Sequence, residues 1–232
     1  MNSNTYFFHY KQNLKLSFPI ILGQLSQIFI ILSDTLMVGN YSATSLAAAT
    51  FANALFFVFL SFGMGFTFGI KPPVANAHAA KEPEKSKNFL KHGVILYTGL
   101  AFFMYGLLEL MIPFLHLLDQ PKELYEIAIP YFRIIGISII PFIIGMGLIQ
   151  FVEALSHTKL PMIVNVLANV SNVVLNYAFI YGVWGFPQWG LLGAGWATLV
   201  ARTAVPLVLI ICLFTLPKLQ FYTHIVALTN SI

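Results

Sequence analysis

The sequence predicts an all-α membrane protein, a bundle of six transmembrane helices. Three observations predict it: 58% of the 232 residues are hydrophobic and only 9% are charged, six apolar stretches are long enough to cross a bilayer, and the lysines fall almost entirely between alternate stretches. A soluble domain carries about a quarter charged residues. Here too few polar side chains exist to coat a water-facing surface, so lipid is the solvent. Phe alone occurs 22 times.

A helix needs about 20 mainly apolar residues to cross the hydrocarbon core. The stretches that qualify are 16–38, 46–70, 93–115, 127–152, 161–183 and 191–216. Lipid offers no partner to backbone N–H and C=O groups, so each stretch bonds internally as a helix. The runs are continuously apolar rather than alternating, which excludes a transmembrane barrel. The connectors 39–45, 156–160 and 184–190 leave room only for tight turns and make their flanking helices antiparallel neighbours. The longest connector, 71–92, is also the most charged.

Lys11 and Lys15 precede the first span; Lys71, Lys81, Lys85, Lys87 and Lys91 follow the second; Lys159 follows the fourth and Lys218 the sixth. All nine fall on one side. The other side carries Lys122 beside Asp119, Glu123 and Glu126. The positive-inside rule then predicts cytoplasmic N- and C-termini. Lys11 and Lys15 lead into an apolar stretch too long for a cleavable signal, so it reads as a first span that stays in the membrane. The segment from 220 to 232 is weakly patterned and suggests no role.

Several function classes lack their parts. The net charge of +4 is scattered between spans and is no nucleic-acid footprint. No nucleophile elbow, His-Glu-x-x-His pair or phosphate-cradling loop appears, so the chain does not read as an enzyme and no cofactor is implied. His9, His78, His92, His116, His157 and His224 lie near span ends or in connectors, without metal-ligand spacing. Cys212, alone in an apolar run, reads as a small buried hydrophobe.

The informative residues are polar side chains inside spans, where an ionisable group costs about 2.5–3.5 kcal/mol on insertion scales. Asp34 lies about four residues from the outer end of the first span, roughly 6 Å below its boundary at 1.5 Å rise per residue. Gln27 is seven residues earlier on the same face. Asn172 and Asn176 project from one face of the fifth span. Asn176 and Thr198 of the sixth span each lie roughly 10 Å from the outer boundary. Asp34, Asn176 and Thr198 thus reach a common level. A carboxylate, two amides and a hydroxyl form a set of hard oxygens suited to a proton or a small dehydrated cation. Two plainer readings stand beside this one: Asp34 snorkels outward, and the asparagines and Thr198 only bridge helices.

Other charges in the spans carry less. Arg133 and Glu126 reach headgroups, Glu153 at the inner end of the fourth span is read as solvated, Glu109 pairs or snorkels, and Arg202 faces either bundle interior or interface. Small residues at Gly63, Gly65, Gly69, Gly145, Gly147, Gly193, Ala194 and Gly195 predict close helix approach. Pro19 and Pro141 predict kinks or local openings.

The run from Pro19 to Gly39, with Pro19-Ile-Ile-Leu-Gly-Gln and Ser33-Asp34-Thr35-Leu36-Met37-Val38-Gly39, resembles the first helix of the multidrug and toxic compound extrusion (MATE) family. The segment Pro72-Pro73-Val74-Ala75-Asn76-Ala77-His78-Ala79-Ala80 resembles the family's entry to the cytoplasmic loop after the second helix. Asn172-Val-Val-Leu-Asn176-Tyr-Ala-Phe-Ile-Tyr-Gly182, followed by Gly190-Leu-Leu-Gly193-Ala-Gly-Trp-Ala-Thr198, resembles its fifth and sixth helices. In order and spacing these motifs cover the chain to about Lys218.

The resemblance implies one lobe of a twelve-helix MATE-type antiporter in a bacterial plasma (inner) membrane. Residues 1–218 would form the N-terminal six-helix lobe and 219–232 a short tail. It implies export of amphipathic or cationic drugs, driven by Na+ or H+ entry. It also implies a cation site, for Na+ or H+, at Asp34, Asn172, Asn176 and Thr198. Some members carry aspartate where this chain has Asn176, which leaves Na+ and H+ both open. Alternating access needs a second six-helix lobe, so a missing half, a truncated product or a pairing of two copies is expected. Two other functions are weighed: a lipid-linked oligosaccharide flippase, for which Arg202 is the only deep basic residue, and a non-transporting remnant.

Overall fold

Helix covers nearly all of each of the six apolar stretches and extends well before the first, to Ser3. The computed structural model describes residues 3–118 and 121–222. Its helices are α1 (Ser3–Tyr41), α2 (Ala43–Phe68), α3 (Lys71–Ala79), α4 (Pro83–Met111), α5 (Lys122–Ile137), α6 (Ile139–Ala154), α7 (Lys159–Tyr181), α8 (Leu191–Thr215) and α9 (Pro217–Gln220), with a 3-10 segment at Ile112–Leu118. No strand occurs among the described residues. Among the described residues, six spans have the length and hydropathy to cross a membrane: Ser17–Tyr41, Ala43–Ala79, Pro83–Leu115, Lys122–Ala154, Lys159–Tyr181 and Leu191–Thr215. Asp119 and the tail from 223 to 232, including His224, lie outside the described residues.

Two connectors differ from the sequence reading. The expected 39–45 turn shrinks to Ser42, whose extended backbone ends α1 and whose hydroxyl accepts the Ser45 N–H at 3.3 Å to start α2. That is an N-cap satisfying one orphan donor of the next helix. The charged 71–92 connector is not a loop. It is α3 and the start of α4, interrupted only around Lys81 (φ 58°). Each of these helices carries proline in its first turn, where the missing N–H leaves no bond unmade.

Pro19 does not interrupt α1, but the fourth span divides at Ser138 between α5 and α6. Pro141 has no N–H to give the Ile137 carbonyl. Bonds from Ser138 N to Ile134 O (3.3 Å) and Phe142 N to Ser138 O (3.2 Å) carry the chain direction across the break. α7 ends at Gly182 with φ 69°, where a Cβ would also stand 2.8 Å from the Gln188 backbone.

The apolar core is built mainly by α2, α4, α5 and α6, around Phe132, Ile135, Ile139, Ile143 and Phe151, all essentially inaccessible. Small residues bring these helices together. A Cβ on Gly147 would stand 2.2 Å from the Tyr97 ring, and one on Gly63 2.9 Å from Ile143. Gly145 sits against Pro206 and Gly195 against Ile134. Gly65 differs from expectation: nothing lies within 4 Å of where its Cβ would be. Phe18, Phe29, Leu36, Phe62 and Phe103 present large apolar side chains outward, as a lipid-facing surface does.

One charge departs from the reading. Glu153 is not solvated: its carboxylate meets Lys71 Nζ at 2.6 Å and its side chain is 9% exposed, tying α6 to the start of α3. Glu109 pairs rather than snorkels: Arg133 Nε lies 3.9 Å from its carboxylate. After the sixth span, α9 turns back under the bundle. Leu219 is buried, Tyr222 packs edge-on to Phe151, and Phe221 lies 5.3 Å from Lys87 Nζ.

Candidate functional site

α1 and α7 run side by side, joined by three polar links. Asn169 Nδ2 donates to Ser26 Oγ at 2.7 Å, Asn176 Nδ2 donates to Asp34 Oδ1, and Tyr181 Oη donates to the Met37 carbonyl at 3.0 Å. Residue numbers rise together on both helices, so they are parallel, as a first and a fifth span must be. The spacing along α7 follows the 3.6-residue repeat, which keeps Asn169, Asn172 and Asn176 on the α1 face. α8 is pulled against the end of α7 at Gly193, where a Cβ would stand 2.6 Å from the Phe179 backbone. This close approach brings Thr198 and Arg202, one turn apart, beside the α1–α7 seam.

Asn172 and Asn176 are fully buried. Asn176 Nδ2 bridges two acceptors, Asp34 Oδ1 and Asn172 Oδ1, the latter at 3.1 Å. Two amide atoms of this group, Asn172 Nδ2 and Asn176 Oδ1, are buried with no partner among the described residues. Unpaired buried polar atoms are costly and recur where a ligand or water completes a site.

Two cavities meet at this cluster. The larger, about 310 Å³, is lined by Gln27, Asp34, Asn172, Thr198 and Arg202, and extends past Gln150 to Glu153. The smaller, about 210 Å³, is lined by Asn53, Tyr131 and Thr50 and shares Asp34, Thr198 and Arg202 with the first. The sequence-predicted residues therefore converge. Asp34, Asn172, Thr198 and Gln27 face the larger cavity, while Asn176 stands behind Asp34 and holds it.

Arg202 was left open by sequence reasoning, and the structure turns it inward. Its guanidinium carbon lies 5.1 Å from the ring centroids of both Phe56 and Phe142, and Nη1 donates to Ser138 Oγ at 2.8 Å. Its four-residue offset from Thr198 places both on one helix face, which was the available signal. Ser26 and Asn169 were also missed. Asn169 stands one turn before Asn172, and the asparagine spacing carried that information. Among the described residues no group of three His, Cys, Asp or Glu gathers to hold a metal. Any cation here would rest on one carboxylate plus neutral oxygens.

Among the described residues, six membrane-length helices pack around a cavity, which defines the class as a multi-span membrane protein. Solved MATE structures share this fold. A MOP superfamily transporter from Pyrococcus furiosus superposes with a TM-score of 0.80 at 23% identity, over 90% of this chain and 45% of that one. A MATE in the bent conformation superposes at 0.79 and 24%, over 87% and 44%. The MatE family model matches residues 19–178, and the chain belongs to the MATE family. A "Probable multidrug resistance protein NorM" of Listeria monocytogenes is 31% identical over 93% of this chain and 48% of its own length. One of Rhizobium meliloti is 33% identical over 85% and 42%. The chain spans about half the length of the curated relatives it matches.

Proposed function

We propose that this chain forms the N-terminal lobe, residues 1–218, of a Na+- or H+-coupled antiporter that exports amphipathic or cationic compounds. A second six-helix lobe would complete it. The bond between Asp34 and Asn176 carries the reading: a carboxylate inside a span, held by a buried amide and open to a cavity. Support also comes from the relatives, which are named for multidrug resistance.

The chemistry follows from the donor set. The Asn176 amide N–H groups bridge Asp34 and Asn172. Rotating that amide by half a turn would direct Oδ1 at the same two oxygens. Three oxygens would then converge, with Thr198 across the cavity, on a cation of single charge. Hard cations favour such oxygen ligands. A proton would instead sit on Asp34 itself. Either event removes the net negative charge that attracts a cationic compound, and this exclusion is what couples entry of one to exit of the other. The nine-to-one lysine distribution supports a cytoplasmic location for both termini.

The test is drug resistance in a hypersensitive bacterial host expressing the chain together with its second lobe. Wild type should raise the tolerated concentration of cationic dyes, and Asp34→Asn should return it to the empty-vector level. Equal resistance from both would contradict the proposal.

A further inference from the structure

Arg133 of α5 and Glu109 of α4 form a charge pair on the outside of the bundle. Their side chains are 59% and 35% exposed, and Arg133 Nε stands 3.9 Å from Glu109 Oε2. That separation is longer than a hydrogen bond. A guanidinium presents five N–H donors, and among the described residues none of them meets an acceptor. Tyr105, one turn before Glu109, donates its hydroxyl to the carboxylate, whose two oxygens can accept further bonds. Both charges lie within spans, toward the ends opposite the lysine-rich segment 71–91. Helical rise puts Arg133 roughly 9 Å from Ile127, where the fourth span becomes apolar. Deeper on the same two helix faces, Phe102 and Ile137 are exposed apolar side chains. Gly106, one turn from Glu109, has no heavy atom within 4 Å of where its Cβ would be, so space is open beside the pair.

A charge on a lipid-facing surface is costly unless it reaches a polar partner, and arginine near a span end reaches the headgroups by snorkelling. Its planar fork matches a phosphate. Glu109 beside it repels a bare phosphate but accepts one that brings an ammonium. We propose that Arg133 and Glu109 form a binding site for a phospholipid whose phosphate carries a primary ammonium, a phosphatidylethanolamine, in the leaflet opposite the lysine-rich segment. Arg133 takes the phosphate and Glu109 the ammonium. One acyl chain runs past Gly106 over Phe102 and Ile137. Neither charge lines the two cavities at Asp34, so the site is independent of how the cation or the exported compound is held.

The test is native mass spectrometry of the purified full chain in detergent, titrated with palmitoyl-oleoyl phospholipids that differ only in an ethanolamine, choline or glycerol headgroup. Wild type should hold the ethanolamine lipid about fivefold to tenfold more tightly than the other two, the scale of one charge-assisted hydrogen bond at an exposed site. Choline has no N–H to give Glu109, and glycerol has no positive charge. Glu109→Gln should bring the ethanolamine lipid level with the choline lipid and leave the choline lipid unchanged. Arg133→Gln should weaken all three, and Arg133→Lys, which keeps the charge and loses the fork, should fall between. If Arg133→Gln does not fold, Glu109→Gln alone decides, because the carboxylate sets the headgroup order. An absent headgroup order in wild type, or one that both variants leave intact, would make the pair an internal contact only. Preference for the glycerol lipid would make Arg133 a general anion anchor. A dimer mass that both variants abolish would make this flank an interface between copies. Each of these results overturns the proposal.

Discussion

The first and fourth spans are built by opposite means. In the most apolar part of the fourth span 67% of residues are buried, against 6% in the first. The fourth span is held by packing: Ile135, Ile139, Ile143 and Phe151 fill the centre, and Gly147 admits the Tyr97 ring. The first lies along the edge of the bundle and is fastened to α7 by Ser26–Asn169, Asp34–Asn176 and Met37–Tyr181. In lipid, apolar contact between helices gains little over contact with acyl chains, so close packing and interhelical hydrogen bonds decide which helices stay together. A helix held by a few polar links beside a cavity can shift when one link changes partner. A helix wedged by ring-against-glycine contact cannot.

Breaking the packed side should have the largest effect. Gly147→Leu sets a branched side chain against the Tyr97 ring, and Gly193→Leu meets the Phe179 backbone. Backbone yields less than a side-chain tip, so Gly193→Leu should abolish a monodisperse folded peak in size-exclusion chromatography. Gly147→Leu should cost about 1–3 kcal/mol in denaturation, the usual range for overpacking. Gly65→Ala, with open space around it, should leave both measurements unchanged.

Removing a link from the polar seam should be milder for the fold and sharper for binding. Asn176→Leu leaves Asp34 without its buried partner. Cation affinity measured by radiolabelled Na+ or by proton release should drop about tenfold or more, with the bundle still folded. Ser26→Ala removes the Asn169 link and the bond from Ser26 Oγ to the Gly23 carbonyl within α1. It should cost about 0.6–1 kcal/mol, the scale of interhelical hydrogen bonds in membranes, and leave cation affinity near wild type.

The smallest effect is expected outside the membrane spans. Burial, then the nearby charges of Lys218 and His78, lower the pKa of His157 from 6.5. A lowered value means that the folded chain binds this proton less readily than the unfolded chain. Stability from this group is therefore complete above about pH 6.5 and is lost as the pH falls through the folded value. Thermal unfolding temperatures between pH 7.5 and 5.5 should fall slightly in wild type, and less in a His157→Gln variant.

Spans and the Asp34 cluster were legible for different reasons. Continuous apolar runs report their solvent directly, so six spans followed from composition and length. Asp34, Asn176 and Thr198 were legible because helical rise converts residue counts into depth, and equal depth on three helices is a geometric statement. What was hidden is what neighbours decide. The charged 71–92 segment read as a connector because polarity was taken for irregularity, yet prolines at two helix starts and salt bridges within one turn, such as Lys85–Glu82 at 2.7 Å, make it helical. Glu153 looked solvated because Lys71, 82 residues away in the chain, is invisible to local reading. Arg202 lay on the Thr198 face, but only the fold shows that Phe56, Phe142 and Ser138 receive it.

Infrared difference spectroscopy on the purified chain addresses the Asp34–Asn176 contact most directly. A carboxylate band that disappears in Asp34→Asn should shift when Na+ is added or the sample is acidified, and its position should change in Asn176→Leu. A carboxylate band indifferent to both cations and to the loss of Asn176 would contradict the account.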